Sequence, residues 1–283
     1  MPVIKSHALV DTILPSLKAA INVLPTPPNM AVVLVGDNPA SLSYVKHKEK
    51  FGHNIGCTVT LHKLPSTASE TDIAAQLAHL AANDATNGII LQLPLPHITN
   101  PQGLLEMIPA VKDVDGLGRA QRLLLEQIHP QAILPATPLG ILRWLRFLNK
   151  ELVGKQISII GRSHLVGAPL ATLCTQRGAH VTTFSKEHPI QIEALQASDI
   201  VIAAAGVPRL VQADWIKENA LVIDVGITRQ NGKLLGDCAL DIADNAILTA
   251  VPGGVGPLTV LSLFTNLVDA AYMQNGLVRP SYL

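Results

Sequence analysis

A chain of 283 residues that is 48% hydrophobic has enough apolar side chain for one large core or two modest ones, which argues against a disordered chain. Its 21 basic and 21 acidic residues cancel, so neither nucleic acid nor a membrane surface is an expected partner. The odd set of Cys57, Cys174 and Cys238 holds no C-x-x-C pair and the histidines no H-x-x-x-H, which argues against disulfides and a metal site and for a reducing cytoplasm.

The opening residues show no apolar h-region followed by a small-residue cleavage site, and the longest apolar runs, 30–35 and 200–205, fall far short of the roughly 20 residues a bilayer span needs. In chain order, β-branched runs at 31–36, 58–64 and 88–93 predict strands. Helical spacing is expected over 40–55 and 70–84, where Ile73, Leu77 and Leu80 recur at three- and four-residue steps. The second half repeats the scheme with strands at 156–161, 179–185, 199–206 and 220–226. Such alternation is the pattern of βαβ units, so the expected fold class is α/β with parallel sheets in two domains.

The boundary is placed at Pro135-Ala136-Thr137-Pro138, where Thr137 and Pro138 suit the start of a helix through 148. Residues 1–134 then form one domain and 135–256 the other. A last helix, about 257–283, follows the glycine-rich loop 252–257 and is expected to pack back onto the first domain.

Residues Gly161-Arg162-Ser163-His164-Leu165-Val166-Gly167 follow a strand and open a helix, the setting of a dinucleotide phosphate loop, although Ser163 stands where a second glycine is usual. The next strand ends Phe184-Ser185-Lys186 without the acid that holds a ribose diol. With Arg162, Ser185 and Lys186 offering donors and positive charge, NADP is the expected cofactor; Glu187 keeps NAD open. Upstream, Tyr44 and Lys48 lie four apart on a helix, about 5–6 Å between Cβ atoms. By itself that pair is more often a surface feature. Short-chain dehydrogenases share Tyr-x-x-x-Lys, but there it follows the nucleotide loop and here it precedes it.

Joined with Gln92-Leu93-Pro94-Leu95-Pro96, Lys112-Asp113-Val114-Asp115-Gly116, Gly167-Ala168-Pro169 and Pro252-Gly253-Gly254-Val255-Gly256-Pro257, these motifs fall into one register. The chain resembles the bifunctional methylenetetrahydrofolate dehydrogenase/methenyltetrahydrofolate cyclohydrolase family. The resemblance implies a folate-binding catalytic domain and a Rossmann-type NADP-binding domain with the active site in the cleft between them. It implies NADP-dependent oxidation of 5,10-methylenetetrahydrofolate, hydrolysis of the methenyl product to 10-formyltetrahydrofolate, a cytoplasmic homodimer, and supply of one-carbon units to purine biosynthesis.

On this resemblance Lys48 serves the cyclohydrolase step, Gln92 holds its amine, and Tyr44 packs along the substrate. Asp115 holds the pterin edge while Leu93, Pro94, Pro252, Gly253 and Gly254 contact the folate. Gly161, Arg162, Ser163, Val166, Gly167, Ser185, Lys186 and Ile227 contact NADP, the last on the nicotinamide side. The chain departs from the family pattern at Lys5-Ser6-His7, Gln121, Leu123, Ala136 and Ala250. Gln121 and Leu123 follow Gly116, so they are expected to border the folate pocket.

Overall fold

The computed structural model describes residues 3–230 and 232–282. The chain opens with β1 (Val3–Ile4), α1 (His7–Val23), β2 (Asn29–Val35), α2 (Pro39–Ile55), β3 (Thr58–Leu64), α3 (Glu70–Ala82) and β4 (Gly88–Leu91). Short helices α4 (Gln102–Leu105) and α5 (Arg119–Glu126) lead to α6 (Ala136–Phe147). Next come β5 (Gln156–Ile160), α7 (Gly167–Gln176), β6 (His180–Phe184), α8 (Ile192–Ala197), β7 (Ile200–Ala203) and β8 (Leu221–Asp224). A hairpin of β9 (Thr228–Gln230) and β10 (Lys233–Leu235) precedes α9 (Ile242–Asn245), β11 (Ile247–Thr249) and α10 (Val255–Gln274).

The chain divides into two compact units, Asp11–Ala136 with Val260–Leu283, and Met1–Val10 with Thr137–Thr259. The first holds a parallel sheet in the order β3-β2-β4. Its central strand, NMAVVLV, is apolar from Met30 onward because both faces are covered there; every residue from Met30 to Val35 is at most 2% exposed. Asn38 caps α2 by accepting from the Ala40 and Ser41 N–H groups, and Pro39, which lacks an N–H, occupies the first turn. A reciprocal Ser69–Asp72 capping box starts α3, whose stripe of Ile73, Leu77 and Leu80 is buried against Val33, Val35, Ile89 and Leu91.

From Val260 onward α10 belongs to this unit. By length and composition α10 resembles a membrane span, yet 72% of that stretch is buried inside the protein. Phe264 packs on Phe51 with ring centroids 5.2 Å apart, and the Tyr272 hydroxyl donates to the Ala20 carbonyl of α1 at 2.9 Å. Packing of this kind, rather than lipid, explains the helix's apolar sequence.

The second unit holds a six-stranded parallel sheet in the order β1-β11-β8-β7-β5-β6. From β5 the chain winds outward to β6 and then crosses back to β7 on the other side, which makes the carboxyl ends of β5 and β7 the topological switch point. Met1–Val10, expected with the first domain, group with this unit instead: Val3 and Ile4 pair in parallel with Leu248 and Thr249. A two-residue strand is too short to show periodicity, so only its pairing reveals its place. The β9–β10 hairpin and β11 were likewise not predicted, being strands of three residues, too short to show a periodic pattern.

Candidate active site

In the three-stranded unit, Lys48 lies on α2 and is half-buried, while Gln92 directly follows β4. The Lys48 Nζ donates to Gln92 Oε1 at 2.9 Å. Gln92 is itself oriented: its backbone N–H donates to the Val33 carbonyl and its Nε2 to the Leu93 carbonyl, both at 2.9 Å, which leaves Oε1 facing the lysine. Burial pulls the Lys48 amine below its ordinary pKa, and the nearby Asp115 carboxylate partly restores it. Burial pushes Asp115 upward, and the Lys48 charge draws it back. No salt bridge joins the two among the described residues, and Asp115 accepts no hydrogen bond from them.

One turn before Lys48, Tyr44 is 44% exposed, so its ring face is open to a flat ligand. Leu93 is half-buried and Pro94 exposed after a cis Leu93–Pro94 peptide bond. The structure thus brings Tyr44, Lys48, Gln92, Leu93 and Pro94 onto neighbouring segments of one unit, with Asp115 within electrostatic reach of the amine.

Asp113 organises the turn that follows it. It is 2% exposed, accepts from the N–H groups of Gly116, Leu117 and Gly118, and so shapes the loop that carries Asp115. Despite those donors, burial pushes its carboxyl up to about 6. Gln121 does not face a pocket: it is 1% exposed, donates to the Ala110 carbonyl and accepts from the Ile133 N–H, so it ties the loop from within. Sequence reasoning missed Asn266. Its Nδ2 donates to the Val114 and Leu134 carbonyls, each at 2.9 Å, which anchors the residue before Asp115. A lone asparagine in the apolar run of α10 was the available signal.

In the six-stranded unit, Gly161 directly follows β5 at the switch point with φ +109°. A Cβ there would collide with the Ala204 carbonyl, and one at Gly167 with the Gly161 carbonyl, so both positions require glycine. Residues 162–165 are exposed ahead of α7, and Val166 stands at its N-cap. The Ser163 hydroxyl accepts from the Val166 N–H at 3.3 Å. An open loop at the amino end of a ten-residue helix fits a dinucleotide pyrophosphate. Ser185 and Lys186 follow β6, which pairs with β5, and the exposed Arg162 follows Gly161 on the neighbouring strand end.

Ile227 is 42% exposed between β8 and β9. The loops around it are held by two buried carboxylates. Asp224 accepts from the N–H groups of Gly226, Asp237 and Cys238, while Asp237 accepts from those of Ala205 and Gly206. Burial, reinforced by Asp237, pushes Asp224 up to about 6. Since its folded pKa is raised, the folded state keeps a proton that the unfolded chain has lost, and stability falls as pH rises from about 4 to about 6. Two pKa units amount to about 3 kcal/mol. Asp224→Asn is therefore expected to flatten the dependence of unfolding free energy on pH across that window, measured by urea denaturation; an unchanged slope would refute the assignment.

Pro252, Gly253 and Gly254 also belong to this unit. The Ser6 N–H and hydroxyl both donate to the Gly253 carbonyl, at 3.1 and 3.2 Å, and the Val251–Pro252 bond is cis. Ser6, one of the departures noted above, therefore holds the glycine-rich loop.

A doubly wound parallel sheet with a tight glycine turn at its switch point, continuous in one chain with an α/β unit that carries a partly desolvated lysine, defines a nucleotide-dependent α/β enzyme. Comparison with known proteins narrows the class. Residues 4–115 match the family model described as tetrahydrofolate dehydrogenase/cyclohydrolase, catalytic domain, and residues 135–275 its NAD(P)-binding domain. The chain is 41% identical over 249 residues to the bifunctional protein FolD of Sorangium cellulosum, covering 87% of this chain and 86% of that protein. Among solved structures, the FolD methylenetetrahydrofolate dehydrogenase/cyclohydrolase of Campylobacter jejuni is 35% identical with a TM-score of 0.92, over 96% of this chain and 99% of that one. The Trypanosoma brucei FolD, solved with NADP cofactor and an inhibitor, is 31% identical with a TM-score of 0.91, over 98% and 99%. This chain belongs to the tetrahydrofolate dehydrogenase/cyclohydrolase family.

Proposed function

We infer that the protein oxidises 5,10-methylenetetrahydrofolate with NADP and hydrolyses the resulting methenyltetrahydrofolate to 10-formyltetrahydrofolate. The observation that carries the hydrolytic half is the Lys48 Nζ–Gln92 Oε1 bond at 2.9 Å beside the Asp115 carboxylate. Hydrolysis requires water to add to an electron-poor methenyl carbon and a proton to leave that water. A lysine with a lowered pKa has a neutral fraction able to take that proton, and an oriented amide keeps its lone pair directed. Tyr44 offers a ring face along the substrate, and Asp115 offers two acceptor oxygens to the N–H and amino donors of a pterin edge. Leu93 and Pro94, which directly follow Gln92, would contact the same substrate.

NADP supplies the hydride acceptor when bound. Gly161, Arg162, Ser163, Val166 and Gly167 would hold its pyrophosphate and neighbouring ribose, Ser185 and Lys186 its 2′-phosphate, and Ile227 the nicotinamide face. The protein's task in that half-reaction is to hold two rings, because hydride passes between carbon atoms without a protein base. A cytoplasmic setting is supported by three free, buried cysteines. The formyl product fits supply of one-carbon units to purine biosynthesis, and a homodimer is proposed from the family pattern. The test is a coupled assay with methylenetetrahydrofolate and each cofactor. A higher kcat/KM with NADP than with NAD is expected; equal values or a preference for NAD would overturn the cofactor assignment.

A further inference from the structure

The hydroxyl of Ser185, assigned above to the 2′-phosphate, is already engaged: it donates to Glu187 Oε2 at 2.7 Å. Ser185 and His188 close a tight turn through reciprocal backbone hydrogen bonds at 2.8 and 3.2 Å, so the Glu187 backbone is held beside the end of β6. The carboxylate lies near Lys186 and His188, and it is held below the usual range chiefly by the Ser185 hydroxyl. Glu187 therefore occupies one donor and offsets part of the positive charge that a 2′-phosphate needs.

We propose that Glu187 is a specificity-determining residue that weakens recognition of the 2′-phosphate and retains affinity for the unphosphorylated ribose. The inference rests on the NADP reading given above. The physical basis is an inventory of donors and acceptors. A serine hydroxyl has one proton to donate. A phosphate dianion only accepts, so to gain that proton it must displace Glu187, and it must then sit beside a like charge. A ribose 2′-hydroxyl meets neither obstacle. It donates to the Glu187 carboxylate and accepts from a neighbouring donor, the arrangement that an acid at the end of the second strand gives in NAD-binding units. Lys186 and Arg162 pull toward the phosphate, and the preference of the site is the difference between these opposing effects.

The experiment is direct binding, by isothermal titration calorimetry, of 2′,5′-ADP and 5′-ADP to the full-length wild type, Glu187→Gln and Glu187→Ala. Glutamine removes the repulsion, and alanine also frees the hydroxyl. Together these changes are expected to tighten 2′,5′-ADP by about tenfold in the alanine variant and by a smaller factor in glutamine. Binding of 5′-ADP should stay the same or weaken. The ratio of kcat/KM for NADP over NAD should rise in step. If both variants bind 2′,5′-ADP as the wild type does, Glu187 does not set specificity and the inference is overturned. Failure of the underlying reading has a different signature: the wild type itself would bind 2′,5′-ADP no more tightly than 5′-ADP and would use NAD at least as well.

Discussion

Replacing Lys48 with methionine is expected to abolish hydrolysis of methenyltetrahydrofolate while leaving measurable hydride transfer. Methionine preserves much of the apolar stem and its packing against α2's neighbours but removes the amine. Water addition to the methenyl carbon then has no group to take its proton. A positioned base typically contributes about 10²–10⁴-fold, so the loss should lie in that range. Oxidation of the methylene substrate needs no such group and should continue. The decisive measurement is both rates on one purified variant, with methenyl absorbance reporting hydrolysis and reduced cofactor reporting oxidation, and a thermal melt to verify folding. Wild-type hydrolysis by the variant would remove Lys48 from the mechanism and return the Tyr44–Lys48 pair to the helix surface.

Asp115→Ala is expected to weaken folate binding by about 1.5–3 kcal/mol, the scale for hydrogen bonds to a charged acceptor. That corresponds to roughly 10–150-fold in Kd. NADP affinity should change little. The same variant carries a second expectation. Because the Asp115 carboxylate raises the pKa of the Lys48 amine, its loss should move the acidic limb governed by Lys48, where activity rises as the amine loses its proton, to lower pH in the hydrolysis profile. Titration showing folate affinity retained and NADP affinity lost would overturn the assignment.

The parts of this fold that were legible in the sequence are those with periodic or continuous apolar pattern. β2 through β8 coincide closely with β-branched runs, and the stripe of Ile73, Leu77 and Leu80 faces the core as its spacing requires. Elements without pattern were invisible. β1 is a strand only because Leu248 and Thr249 stand beside it, and α1, which contains Pro15, was not predicted. In the candidate site, Tyr44 and Lys48 were local enough to pair by helix geometry. Their junction with Gln92 spans 44 residues of sequence and came from family resemblance alone. The supports of the site escaped altogether. Asn266 reaches the Val114 carbonyl from 152 residues away, and Ser6 reaches Gly253 across 247; no local signal encodes such distances. Gln121 misled for the opposite reason. Its position after Gly116 placed it near the pocket, whereas its amide turns inward to backbone partners.

The chain enters and leaves its two units repeatedly: α1 begins in one and continues in the other, and α10 does the same in the opposite part of the sequence. This has a consequence for synthesis on the ribosome. The six-stranded unit has every one of its strands in hand once Thr259 has emerged. The three-stranded unit, whose sheet is translated first, still lacks Phe264 against Phe51, Asn266 on the Val114 and Leu134 carbonyls, Tyr272 on Ala20, and Arg279 on the Gln131 and Ala132 carbonyls. The half that carries Lys48 thus has its whole sheet made early and is the last to close. Its nascent sheet waits exposed through the translation of the whole nucleotide-binding half, and a ribosome that stalls past Thr259 leaves the second unit complete beside a first unit without its final helix.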